Sequence, residues 1–174
     1  MDEMEIEIRP SEEDQLDFLE AEFSPYDLSK HHHQRHAVQK SGHGIYLIAW
    51  HDAKPIGHFL LEWAGPGPGG DPTGEYPYPT PYLGAGQTVT EYRRKGVATR
   101  LIQKAEELVK EEGFSKIGLA VGGTDNPDAR RLYEKLGYID WGKGEFEASW
   151  DYTSKDGKIG RESEVCIYMF KHLE

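Results

Sequence analysis

The stretch "EYRRKGVATR", residues 91–100, sets Arg93, Arg94 and Lys95 directly before Gly96 and an amphipathic run. A helix that begins near Gly96 offers unpaired backbone N–H groups and a partial positive charge in its first turn. Gly96 lets a ligand approach the backbone with no side chain in the way, and Ala98 keeps a nearby position small. Three cations beside such a turn make a pocket for an extended anion. On these residues alone, the alternative is a basic loop with a glycine at its tight point. Other phosphate-binding patterns fit less well. "KGVAT" lacks the order of a Walker loop, and the prolines of "GPGPGG" have no N–H to offer. "GAGQTV" lacks both the third glycine and the acid of a dinucleotide fingerprint.

Two other groups of residues invite a chemical reading. "KHHHQRH" places His32 and His36 one helical turn apart. Adjacent histidines splay around a helix, and no nearby Cys or acid completes a ligand set, so the segment reads as an exposed, partly charged helix with no metal. Cys166, the single cysteine, falls in an apolar strand and reads as a buried, inert thiol.

The elements that must position these residues follow from periodicity. Met4, Ile6 and Ile8 alternate with acids, as in a strand with one buried face. Ser11 and Asp14 stand at capping-box spacing before Leu16, Leu19 and Phe23 at helical spacing. A more polar helix is expected from about Ser29 to Lys40, closed by Gly42. "IYLIAW" and "IGHFLLEW" flank "HDAKP" as antiparallel strands. "YLGAGQTVT" is the next strand, made irregular by Gly84 and Gly86. A helix with an apolar stripe from Val97 to Val109 follows, then the strand "KIGLAV". Asn126 caps and Pro127 opens a helix that Gly137 closes, and a final hairpin brackets "TSKDGKIGRE". The result is an α/β domain over residues 1–174, a mixed sheet with a crossover near its middle. Residues 65–81 form a Pro/Gly-rich loop, either functional or a tolerated insertion.

A net charge of −11 over 174 residues argues against nucleic acid as a partner and favours attraction of cationic small molecules. The first residues show no signal-peptide pattern, and no apolar run approaches the roughly 20 residues a membrane span needs. A cytoplasmic protein with no membrane partner is expected, and a homodimer is compatible with the chain.

"RRKGVA", Arg93 to Ala98, resembles the Arg/Gln-x-x-Gly-x-Gly/Ala signature of the GNAT superfamily of acyl-CoA-dependent N-acetyltransferases. Val89 and Tyr92 stand where the family has a Val near the strand end and a Tyr before the first Arg. "NPDARRLYEKLGY" resembles the second family block through Asn126, Ala129, Leu132, Tyr133, Lys135, Gly137 and Tyr138. The close resemblance covers about residues 86–138, with the rest agreeing in element order.

The resemblance implies a sheet splayed at its parallel crossover, with acetyl-CoA as co-substrate and no metal. The amides from Arg94 to Thr99, including those of Lys95, Gly96, Val97 and Ala98, would hold the pyrophosphate beside Arg93. The pantetheine would pair with backbone around Val89, and Asn126 would steady its amide. Tyr133 would donate a proton to the departing thiolate. Some relatives carry a base on the strand before the signature, yet residues 82–89 contain no acid. Glu62, with Tyr82 or a water chain, is the candidate base. The second helix borders the acceptor site in this family. Between Glu62 and Tyr82 lie Asp71 and Glu75 but no Lys or Arg, and Tyr76, Tyr78, Tyr82 and Tyr92 could wall a cation. The expected reaction is acetyl transfer to a primary amine of a small, cationic acceptor by direct attack in a ternary complex. The alternatives are a non-catalytic acyl-CoA sensor or partner subunit, and acetylation of a protein amine.

Overall fold

The computed structural model describes residues 5–23, 31–64, 80–122, 127–154 and 156–174. In chain order the elements are β1 (Glu7–Pro10), α1 (Leu16–Phe23), α2 (His31–Lys40), β2 (Gly44–His51), β3 (Lys54–Glu62), β4 (Tyr82–Thr88), α3 (Val97–Glu111), β5 (Lys116–Gly122), α4 (Pro127–Lys135), β6 (Ile139–Thr153) and β7 (Ile159–His172). Among the described residues seven strands form one sheet, ordered β1-β2-β3-β4-β5-β7-β6. Only β4 and β5 run parallel among the described residues, joined across α3. The other neighbours are antiparallel.

The β2–β3 hairpin turns at Asp52 and Ala53, both with positive φ, as a two-residue turn between twisted strands requires. Both faces of β2 are covered, which is why "IYLIAW" is apolar without alternation. On one face, Leu47, Leu61, Leu83, Leu119 and Met169 pack against Val97, Leu101, Ile102, Ala105 and Val109 of α3. The inner residues of α4, Leu132, Tyr133 and Leu136, join the same cluster partly buried. On the other face, Leu16, Leu19 and Phe23 of α1 meet Tyr46, Ile48, Trp50 and Leu60. Leu101 is fully buried at the centre of the α3 stripe. Leu101→Ala is expected to cost about 2–5 kcal/mol, read as a lower urea midpoint with an unchanged slope.

Two local expectations need correction. Ser11 does not cap α1. The turn before that helix starts at Glu12 with no side-chain cap, and the buried Ser11 hydroxyl bonds His36 Nδ1 at 2.8 Å. The histidine-bearing helix is not an exposed one. His32 is fully buried and His31 half-buried. Glu20 of α1 accepts the backbone N–H groups of His32 and His33 at 2.9 and 3.0 Å, capping α2 from its neighbour. Arg35 donates to the Tyr46 hydroxyl at 3.1 Å, and the same hydroxyl shares a hydrogen bond with His32 Nδ1 at 2.6 Å. A run of histidines has no apolar stripe to mark its inward side, and that side is chosen by Tyr46 of β2.

Burial first, then the Arg35 charge, pushes His31 down to about 4 and His32 down to about 3. Both therefore bind fewer protons folded than unfolded below their ordinary value of 6.5. Their contribution to stability is complete above that value and is lost as pH falls towards 4. A decline on the order of 2 kcal/mol is expected between pH 7 and 5, after allowing for partial exposure of His31. Urea unfolding at the two pH values reads it, and His32→Asn should show a smaller pH dependence. Equal pH dependence in the two proteins would contradict the burial of a neutral His32.

Candidate active site

β4 and β5 pair at only two positions, Tyr82 with Gly118 and Leu83 with Leu119. Beyond them β4 continues to Thr88 and β5 to Gly122 with no further rung. The cause lies partly on the other edge of β4. Leu60 pairs with Gly84 but His58 with Gln87, so two steps on β3 match three on β4. Such a bulge bends its strand and interrupts the ladder. The glycines allow it: a Cβ on Gly86 would strike the Phe59 ring, and one on Gly84 would lie 2.9 Å from the Tyr82 ring. The strands part into a wedge whose connections lead to α3 and α4, the topology at which open α/β sheets bind ligands.

Beside the wedge, the chain turns from Thr88 into α3. Gly96 is the N-terminal flanking residue, with φ of 83° and no side-chain cap. A Cβ on Gly96 would meet nothing within 4 Å, so the first turn opens to solvent. Arg94 also has a positive φ, 63°. That costs a non-glycine residue about 1–3 kcal/mol, and such strain gathers at ligand clamps. Val97 is buried and anchors the turn to the core, while Ala98 and Thr99 are half-buried. Arg93, Arg94 and Lys95 are exposed. Arg93 Nε donates to the Thr88 carbonyl at 3.3 Å, and Arg94 stands 3.8 Å from Asp128 of α4. An uncapped helix start, an open glycine and three cations at the mouth of the wedge suit a pyrophosphate.

Val89 lies just past β4. Its N–H donates to the Ile56 carbonyl and its carbonyl accepts from Tyr92 N–H, each at 2.8 Å. What it can still offer a ligand is the second lone pair of that carbonyl. Asn126 is outside the described residues, as are Asp71, Glu75, Tyr76 and Tyr78 of the Pro/Gly-rich loop.

Tyr133 is half-buried on α4, its ring 6.3 Å from that of Tyr138. Burial raises its phenol above the ordinary value, so it is protonated at neutral pH, as a proton donor must be. The Tyr138 hydroxyl donates to Glu106 of α3 at 2.9 Å, and Lys171 of β7 holds the same carboxylate at 3.0 Å. That network pins the chain just after α4. Glu62 is half-buried at the end of β3, directly opposite Tyr82 in the ladder. Burial first, then Cys166, Glu62, Tyr168 and Tyr133 in turn, raises the Tyr82 phenol. Tyr82 is thus within electrostatic reach of both the candidate acid and the candidate base. Cys166 itself is buried. Tyr168 and Trp141 also reach this fork, although sequence reasoning passed over them. Tyr168 falls beside Tyr82 only through the register of β7 on β5, for which no local residue pattern exists.

The architecture is thus a mixed α/β sheet that splays at its parallel crossover beside an open helix start. Residues 9–138 match the Acetyltransferase (GNAT) family, and the chain belongs to that family as an acyl-CoA-dependent N-acetyltransferase. Acetyl-CoA is the co-substrate that the family uses. Solved structures agree in fold. The ribosomal-protein-S18-alanine N-acetyltransferase of Escherichia coli matches with a TM-score of 0.63 at 16% identity, over 98% of this chain and 95% of that one. An N-acetyltransferase of Staphylococcus aureus Mu50 matches at 0.66 and 12% identity, over 98% and 99%. The ribosomal-protein-S5-alanine acetyltransferase of Vibrio fischeri matches at 0.65 and 15%, over 97% and 93%. No curated protein matches the sequence significantly.

Proposed function

We propose that the chain, as one domain over residues 1–174, moves the acetyl group of acetyl-CoA to a primary amine of a small, cationic acceptor. The observation that carries this reading is the wedge between β4 and β5, open beside the uncapped start of α3. Arg93, Arg94 and Lys95, with the amides from Arg94 to Thr99, bind the pyrophosphate. The Val89 carbonyl and Asn126 hold the pantetheine. In the direct reaction the amine nitrogen bonds to the thioester carbon and the carbon–sulfur bond breaks. Glu62, with Tyr82 beside it, receives the amine proton, and Tyr133 gives its proton to the sulfur. The net charge of −11 favours a cationic acceptor at a cytoplasmic site of action.

Initial rates with acetyl-CoA and polyamines varied together test the direct reaction. Intersecting reciprocal plots are expected, whereas parallel plots would require a covalent acyl-enzyme. The loop of residues 65–81 supplies acceptor selectivity in the same reading. Shortening it, or replacing Asp71 and Glu75 by Asn and Gln, should raise the acceptor KM while acetyl-CoA binding holds, more so at low salt. Unchanged KM and selectivity in both variants would make the loop a tolerated insertion. Acetylation of a protein amine, the activity named for the E. coli and V. fischeri structures, is the competing acceptor class. A peptide panel in the same assay distinguishes it.

A further inference from the structure

We propose that Tyr138, held by Glu106 and Lys171, is a positioning residue for the reaction and fixes the place of the Tyr133 hydroxyl. The proposal rests on the acetyl-transfer reading above, in which Tyr133 gives its proton to sulfur, and deepens it by assigning what holds that donor still. α4 needs such a hold. None of its described side chains is fully buried, and Ala129, Leu132 and Tyr133 pack only partly against the core. Tyr138, just past the helix, is 2% exposed and is the first buried residue from Asp128 onward. Two tethers join it to Tyr133. The Tyr138 N–H donates to the Tyr133 carbonyl at 2.9 Å, while the Gly137 N–H donates to the Glu134 carbonyl at 3.0 Å. Gly137, with φ of 100°, permits this helix end. The two rings also meet edge to face, with centroids 6.3 Å apart and planes at 61°.

Tyr138 is in turn fixed from two other elements. Its hydroxyl donates to Glu106 Oε2 of α3 at 2.9 Å, and Lys171 Nζ of β7 donates to both oxygens of that carboxylate, at 3.0 and 3.2 Å. The same ammonium stands 5.8 Å from the centroid of the Tyr138 ring. Burial first, then Glu106, raises the Tyr138 phenol, so it remains a donor at neutral pH. A hydrogen bond to an ionised acceptor is roughly twice as strong as one between neutral groups. α3 is a firm support, because Ile102, Ala105 and Val109 on either side of Glu106 are fully buried. With its hydroxyl committed to Glu106, Tyr138 acts through Tyr133. A proton donor works only within hydrogen-bond reach of the atom it protonates, and a displacement of about 1 Å can cost on the order of 10²-fold in rate.

The test is a double-mutant cycle on the full chain, with kcat for CoA release taken per CoA-binding site. The amine is the most active among putrescine, spermidine, an aminoglycoside and a peptide N-terminus. Tyr138→Phe keeps the ring and removes its anchor. It should lower kcat about tenfold while acetyl-CoA affinity stays within about twofold. In a Tyr133→Phe background the same change should alter kcat by less than about twofold, because the group it positions is already gone. Glu106→Ala removes the anchor from the other side, should give the same pattern, and is read in its place if the Tyr138 variant loses CoA. Parental kcat in the CoA-competent variant would overturn the proposal, and so would an equal loss with the Tyr133 hydroxyl present and absent. Loss of CoA affinity in both variants would make the network purely structural and overturn it too. Each of these outcomes leaves Tyr133 as donor standing. Undiminished turnover in Tyr133→Phe alone, or no turnover with any amine, would instead remove that reading and the positioning role with it.

Discussion

Tyr133→Phe should lower kcat by about 10²-fold or more while the affinity for acetyl-CoA stays within about twofold. The substitution removes one hydroxyl and keeps the ring that packs with Leu132 and Leu136 in the α3/α4 cluster. Attack on a thioester ends in expulsion of sulfur, and the barrier rises when the thiolate leaves without a proton. A half-buried phenol held protonated by its surroundings can supply one, and a Phe cannot. The effect should fall on kcat and kcat/KM together, as for an interaction made in the transition state. Wild-type turnover in the Phe variant would return Tyr133 to the role of a packing aromatic. Thermal unfolding serves as the control, since an unchanged Tm shows that the ring still packs and assigns a fall in kcat to the missing hydroxyl.

Gly96→Asp is expected to weaken CoA by about tenfold or more. Two unit charges some 5 Å apart repel by about 3 kcal/mol at an effective dielectric of 20, and solvent at this open turn reduces that value. The backbone contributes separately, because a φ of 83° favours glycine over any L residue. Gly96→Ala carries that strain alone, about 1–2 kcal/mol, and its CoA affinity sets the baseline. The difference between the Asp and Ala variants is the electrostatic part, and it should shrink as salt is added. Asp and Ala variants that bind CoA equally at low salt would move the pyrophosphate away from this turn.

Much of this site was legible from residues alone because its signals are local. Gly96 after three cations, Pro127 opening α4 and the Val97–Val109 stripe each act within a turn or two of helix. Their positions survive in the structure, with α3 at Val97–Glu111 and α4 at Pro127–Lys135. Gly84 and Gly86 announced an irregular β4, although the bulge itself depends on how β3 pairs. The residues that escaped notice are those whose neighbours are set by register. His32 is buried because Tyr46 lies beneath it, and Tyr168 reaches the fork because β7 enters the sheet beside β5. A capping-box spacing at Ser11 misled for a related reason: the hydroxyl found a partner in α2, 25 positions away.

The most direct measurement is amine-dependent release of CoA thiol from acetyl-CoA by the purified full chain, with the product identified by mass spectrometry. Putrescine, spermidine and an aminoglycoside form the first panel, with a peptide N-terminus as the protein-type acceptor. Thiol release that requires an amine and matches the yield of an N-acetylated product is the expected result. A chain that binds acetyl-CoA yet releases no thiol with any amine or peptide would contradict catalysis and leave an acyl-CoA-binding protein.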